Sequence, residues 1–119
     1  AYLSEWNYNG IGDIILGHAY QIKVNQEVSL EFQGEYIFPD EVLITLPEGW
    51  SLIGYLRTNP ADCFLVFDSI SDEVVLVKDY LGNAYLPNWN FNGIGNLFPG
   101  KGYQIKMNSS QIFQYNSNY

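Results

Sequence analysis

Apolar and polar residues alternate along much of this chain. In residues 20–24 (YQIKV) and 103–107 (YQIKM) the first, third and fifth positions are apolar and the two between them are polar. Val28, Leu30 and Phe32 alternate with Ser29, Glu31 and Gln33 in the same way. Successive side chains of a strand point to opposite faces, so each run predicts a strand with one buried and one wet face. Residues 42–46 and 74–77 are more continuously apolar and predict central strands. Residues 50–55 predict another, with Trp50 and Leu52 on one side, Ile53 and Tyr55 on the other, and Trp50 in the core.

Turn chemistry punctuates these runs. Pro47-Glu48-Gly49 joins two of the strands, and Leu81-Gly82-Asn83 predicts a hairpin. Asn9-Gly10 and Asn92-Gly93 are the dipeptides that type I′ turns favour, since both residues tolerate positive φ. Gly17 and Gly100 mark a second turn before each YQIK strand. One helix is expected near residues 60–67. Asn59 suits the cap, Pro60 the first helical position and Asp62 the positive end of the dipole. The fold class is therefore mainly β, a small antiparallel sandwich or barrel with one short helix.

The chain also aligns with itself at an offset of 83. Residues 1–25 read AYLSEWNYNGIGDIILGHAYQIKVN and residues 84–108 read AYLPNWNFNGIGNLFPGKGYQIKMN, identical at 15 of 25 positions without a gap. Ordinary residue frequencies give roughly one or two such matches by chance, so the fold is expected to be built from an internal repeat. Ala1 corresponds to Ala84, inside a unit. Residues 1–36 then read as the second half of a preceding unit and residues 42–119 as one complete unit, packed together as one compact domain. Truncation of a larger protein is expected over a permuted domain. A half unit leaves a sheet edge bare, which predicts association with neighbouring units or with a second copy of the chain, as a homodimer or end to end.

Composition narrows the partners. The net charge is −8, and the five basic residues, Lys23, Arg57, Lys78, Lys101 and Lys106, are scattered along the sequence. Nucleic acid and anionic membrane surfaces need clustered positive charge, so both are disfavoured. No apolar stretch approaches 18 residues, so membrane insertion is not expected, and no signal peptide is visible. The single cysteine, Cys63, cannot form an intramolecular disulfide and reads as a buried packing thiol.

No catalytic constellation stands out. His18 is the only histidine and its counterpart in the second copy is Lys101, which suits a solvated turn. The NGIG segments lack the flanking strand, helix and Lys-Ser/Thr of a phosphate loop and read as turns. Asp68, Asp72 and Glu73 are calcium candidates by spacing, against a plain reading as loop charge. Asp40 and Glu41 read as a polar linker. No cofactor is implied. The best binding candidates are aromatic. Trp6 and Tyr8, and Trp89 and Phe91, flank the NG turns beside Asn9 and Asn92. Exposed rings next to amides suit a sugar, with a flat face for the pyranose and amides for its hydroxyls. The alternative is that Trp6 and Trp89 are core residues of their units.

The strings LPEGWSLIGY, EVVLVKDYLGNAYLPNWNFNGIG and PGKGYQIKM together resemble a tandem β-repeat module of large secreted or surface proteins from marine bacteria. The resemblance covers residues 42–115 as a full unit and residues 1–36 as a half. It implies an extracellular or cell-surface β module for spacing, adhesion or binding, with no catalytic residues and a structural role for Tyr103, Gln104, Ile105 and Lys106. The expected function is a non-enzymatic structural or adhesive module, with a glycan-binding module as the alternative.

Overall fold

The computed structural model describes residues 1–118. It is a small antiparallel all-β domain with one short helix. The strands are β1 (Tyr2–Leu3), β2 (Tyr8–Asn9), β3 (Ile44–Leu46), β4 (Gly49–Gly54), β5 (Ala61–Asp62), β6 (Val74–Lys78), β7 (Ala84–Leu86), β8 (Phe91–Asn92), β9 (Asn96–Leu97), β10 (Gly102–Met107) and β11 (Gln111–Phe113), with helix α1 (Cys63–Val66) after β5. The central sheet has the order β4-β10-β6-β7-β8, and β1-β2, β3-β11 and β5-β9 form two-stranded ladders.

Alternation in β10 sets the core. Tyr103, Ile105 and Met107 point inward and are buried, while Gln104 and Lys106 lie on the outer face. Ile105 stands between Ser51 of β4 and Val77 of β6 in the ladder. Beneath the sheet, aromatic rings form a chain. Tyr85 stacks on Phe67 at 5.9 Å, Phe67 meets Phe113 at 5.6 Å, Phe113 meets Tyr115 at 4.8 Å, and Tyr115 meets Tyr55 at 5.4 Å. Edge-on and offset ring pairs of this kind add to simple burial. The β6–β7 hairpin forms around Leu81-Gly82-Asn83. Asp79 Oδ1 accepts from the backbone N–H of both Leu81 and Asn83, and Gly82 supplies φ +86°.

The helix is shorter than expected and begins later. Asp62, not Asn59, caps it, accepting from the Phe64 N–H at 2.8 Å. The Asn59 carbonyl instead accepts the Tyr55 hydroxyl at 2.6 Å. After four residues the chain tightens into a 3₁₀ turn over Asp68–Ile70.

The larger departure lies in residues 17–36. The expected strands at residues 20–24 and 28–32 do not form. Strands are held by ladders, and an extended segment without a partner leaves its backbone groups to water. This segment meets the central sheet at its start. Gly54 N–H donates to the Gly17 carbonyl at 2.9 Å, His18 bridges Ile53, and Ala19 crosses Gly102. A Cβ on Gly102 would stand 2.6 Å from that of Ala19, so the crossing requires glycine there. The result is an elongated molecule of 43 × 28 × 26 Å with a radius of gyration of 15.0 Å, against about 13.5 Å for a compact chain of this length.

Candidate functional site

The two copies build the same bonded structure around the two indoles. In each, a short strand enters a three-residue 3₁₀ turn, Ser4–Trp6 or Pro87–Trp89, and a second short strand leaves it. The turn closes when Asn7 N–H donates to the Ser4 carbonyl at 3.2 Å and Asn90 N–H to the Pro87 carbonyl at 3.1 Å. Asn7 and Asn90 adopt φ of 49° and 51°, the left-handed region that asparagine tolerates better than other side chains. Gly10 N–H then donates to the Ala1 carbonyl and Gly93 N–H to that of Ala84, both at 2.8 Å. The NG dipeptides are therefore not type I′ turns. The positive φ sits two residues earlier, and the reversal is made by the 3₁₀ turn.

Asn9 and Asn92 brace the following loop. Asn9 Oδ1 accepts from the Gly12 N–H and Asn92 Oδ1 from the Gly95 N–H, both at 2.9 Å, and each side-chain amide donates back to the same glycine's carbonyl. Asn92 Nδ2 also lies 3.2 Å from Asp62 Oδ2. As a sugar-binding set, the two asparagines are thus largely engaged within the protein. The neighbouring rings instead lie close against glycines. A Cβ on Gly10 would meet the Tyr8 hydroxyl at 2.7 Å and its ring at 3.0 Å, and one on Gly93 would meet the Phe91 ring at 3.0 Å.

Both indoles point into solvent. Trp6 is 79% exposed and Trp89 80%, which corrects the reading of either as a core residue. The 3₁₀ turn lifts each out of the pleat, away from the face through which Tyr85 reaches the core. Tyr8 and Phe91 are half exposed in both copies.

Trp50 is the second correction. It is half exposed on the outer face of the sheet, because β4 pairs with β10 so that Trp50 stands opposite Lys106 and Ile53 opposite Tyr103. Its ring lies across β10, with Lys106 Nζ 5.8 Å and Lys78 Nζ 5.7 Å from the centroid. Among the described residues no carboxylate pairs with either ammonium. The indole, Leu52, Lys78, Gln104 and Gln21 line an open groove of about 470 Å³. Lys101, over the Tyr80 ring at 5.2 Å, borders an adjoining cleft. Three of the five basic residues therefore gather on one face although they are scattered in sequence. The signal was present in the polar positions of YQIK, but only the strand register assigns Trp50 to their side.

The remaining candidates separate. Glu73 accepts a hydrogen bond from Ser109 Oγ at 2.8 Å, and Asp68 opens the 3₁₀ turn after α1. Among the described residues, no three His, Cys, Asp or Glu side chains are grouped to hold a metal ion, so Asp68, Asp72 and Glu73 do not form a joint calcium cage. Cys63 is fully buried, and burial, with the nearby Asp62 and Asp79 carboxylates, pushes its thiol up to about 12. A nucleophilic cysteine requires the opposite shift. His18 is exposed at the joint with β4. No helix among the described residues is long and apolar enough to cross a membrane. No family model, curated protein or solved structure matches this chain.

Proposed function

We propose that this chain is a non-enzymatic adhesive repeat module that contacts carbohydrate through its two indole turns, in an extracellular or cell-surface setting. One observation carries the reading: Trp6 and Trp89 stand in identically bonded turns and are equally exposed. An aromatic ring left in water at a rigid turn offers a preformed apolar face at little entropic cost. The second copy has a complete core beneath it, so the exposure of Trp89 does not come from missing packing. Two such rings on one chain raise the effective concentration of each for a repeating polymer. The extracellular setting follows the resemblance in sequence.

Binding to a panel of immobilised polysaccharides, compared between the native chain and a Trp6→Ala, Trp89→Ala variant, tests this. Binding that disappears in the variant, with the far-ultraviolet spectrum unchanged, is the expected result. Binding that survives there and is lost in Trp50→Ala would move the contact to the groove and overturn the assignment to the turns. A second reading is a structural unit that packs on neighbouring units or on a second copy of itself. The bare apolar surface of residues 1–36 favours it.

A further inference from the structure

The two copies of the repeat differ in how far their matching apolar side chains are covered. Positions that the second copy buries are bare in the first. Tyr85 is 1% exposed and its counterpart Tyr2 63%; Ile105 is fully buried and Ile22 77% exposed; Tyr115 is 2% exposed and Phe32 86%. Leu97, Met107 and Phe113 are buried, while Ile14, Val24 and Leu30 are open. The same pattern of apolar side chains thus occurs once covered and once uncovered.

Strands and a helix pack over the second copy. β4 and β6 flank β10, β3 pairs with β11, and β5 pairs with β9. Phe64 and Phe67, in and after α1, close on Tyr85 at 5.3 and 5.9 Å. All of these elements come from residues 42–83. The first copy has the matching half and no counterpart of residues 42–83 against it. The surface area agrees. The molecule exposes 8653 Å², about 2,100 Å² more than a folded monomer of its mass. That excess on one chain is more than the roughly 800 Å² that each partner contributes to a standard protein interface.

We infer that the exposed apolar side chains of residues 1–36 are an acceptor for a polypeptide segment patterned like residues 42–83, which would place residues 20–24 between two strands as β10 lies between β4 and β6. A second copy of this chain is a poor source of that segment, because its own residues 84–118 already occupy it. The inference stands whether or not the indole turns bind carbohydrate.

The test fuses a duplicate of residues 42–83 ahead of Ala1 on the full chain, joining Asn83 to Ala1 as Asn83 is joined to Ala84. Amide hydrogen exchange, apolar-dye fluorescence and sedimentation velocity are compared with those of the original chain. Exchange in residues 20–24 should slow on the order of 100-fold as opening comes to require more than local fluctuation. Dye binding should fall, and the extended chain should be monomeric. Adding Ile22→Asp and Phe32→Asp to the extended chain should reverse these gains while exchange in residues 102–107 stays slow. Unchanged exchange in residues 20–24, with the added segment itself exchanging freely, would overturn the inference. So would an original chain that is dimeric with residues 20–24 already protected, since a second copy would then be the occupant.

Discussion

Truncating one isoleucine at either of two places 83 residues apart tests the architecture with a built-in control. Ile22 and Ile105 occupy the same position of an identical Tyr-Gln-Ile-Lys string. Ile105 has no exposed surface and packs between β4 and β6, whereas Ile22 is among the most exposed apolar residues. Replacing a fully buried isoleucine by alanine removes its transfer free energy and leaves a cavity, which together cost about 2–5 kcal/mol. A site beside the central ladder collapses poorly, so Ile105→Ala belongs toward the upper half of that range. Ile22→Ala should stay within about 0.5 kcal/mol, as exposed substitutions do. With a urea slope of about 2 kcal/mol/M, Ile105→Ala lowers the unfolding midpoint by roughly 1.8–2.5 M and Ile22→Ala by less than roughly 0.3 M. Far-ultraviolet circular dichroism is the suitable probe, because the indoles lie outside the core. Two midpoints within roughly 0.5 M of each other at equal slopes would refute the reasoning. Ile22 would then be packed in solution, and the contrast between the two copies would be wrong.

Three further outcomes are expected. Acrylamide, a neutral quencher, should reach all three indoles almost as well in the native chain as in the denatured one, since Trp6, Trp50 and Trp89 are each half exposed or more; strong protection of any one would contradict its placement. Ser51→Ala should raise stability by about 1 kcal/mol in urea unfolding, because the Ser51 hydroxyl is buried with no hydrogen-bond partner among the described residues; destabilisation would mean that the hydroxyl is satisfied. Burial raises the Tyr85 phenol to about 12, and also raises Tyr55, Tyr103 and Tyr115, so the folded state holds these protons more tightly than the unfolded chain. Their contribution to stability is full below the ordinary phenol value of 10 and falls as pH rises from 10 toward 12; urea midpoints that stay flat across that window would contradict their burial.

Alternation was a sound guide wherever both members of a ladder lie within the chain. Residues 50–54 and 74–78 became strands because both pair with residues 102–107 between them, and the Leu81-Gly82-Asn83 hairpin sets β7 beside β6. The same alternation in residues 20–24 and 28–32 produced no strand. A period of two records which side of a sheet each residue would take, but it carries no information about a partner. The NG dipeptides misled for a related reason. Asn-Gly is compatible with a type I′ turn, yet Asn7 and Asn90 were equally able to take the left-handed conformation, and bonds to Ser4 and Pro87 chose them. Trp50 was misplaced because alternation within one strand divides its residues into two sets without saying which set is inside. Ile53 opposite Tyr103 settles that, and register is a property of two strands.

The duplication separates two kinds of apolar residue that sequence alone merges. Tyr2 and Tyr85 share a position and differ completely in exposure, so that position serves the interior of a unit and is open only where residues 42–83 have no counterpart. Trp6 and Trp89 share a position and are exposed alike, with or without a covered core below, so that position faces outward in a finished unit as well. Tyr8 and Phe91 behave like the indoles. A partner that completes the first copy would therefore bury Tyr2, Ile22 and Phe32 and leave Trp6 and Tyr8 in water. On the proposed reading, assembly and ligand contact would draw on different residues of the same segment, and substitutions at Trp6 or Trp89 should abolish carbohydrate binding without altering whether residues 20–24 accept a partner.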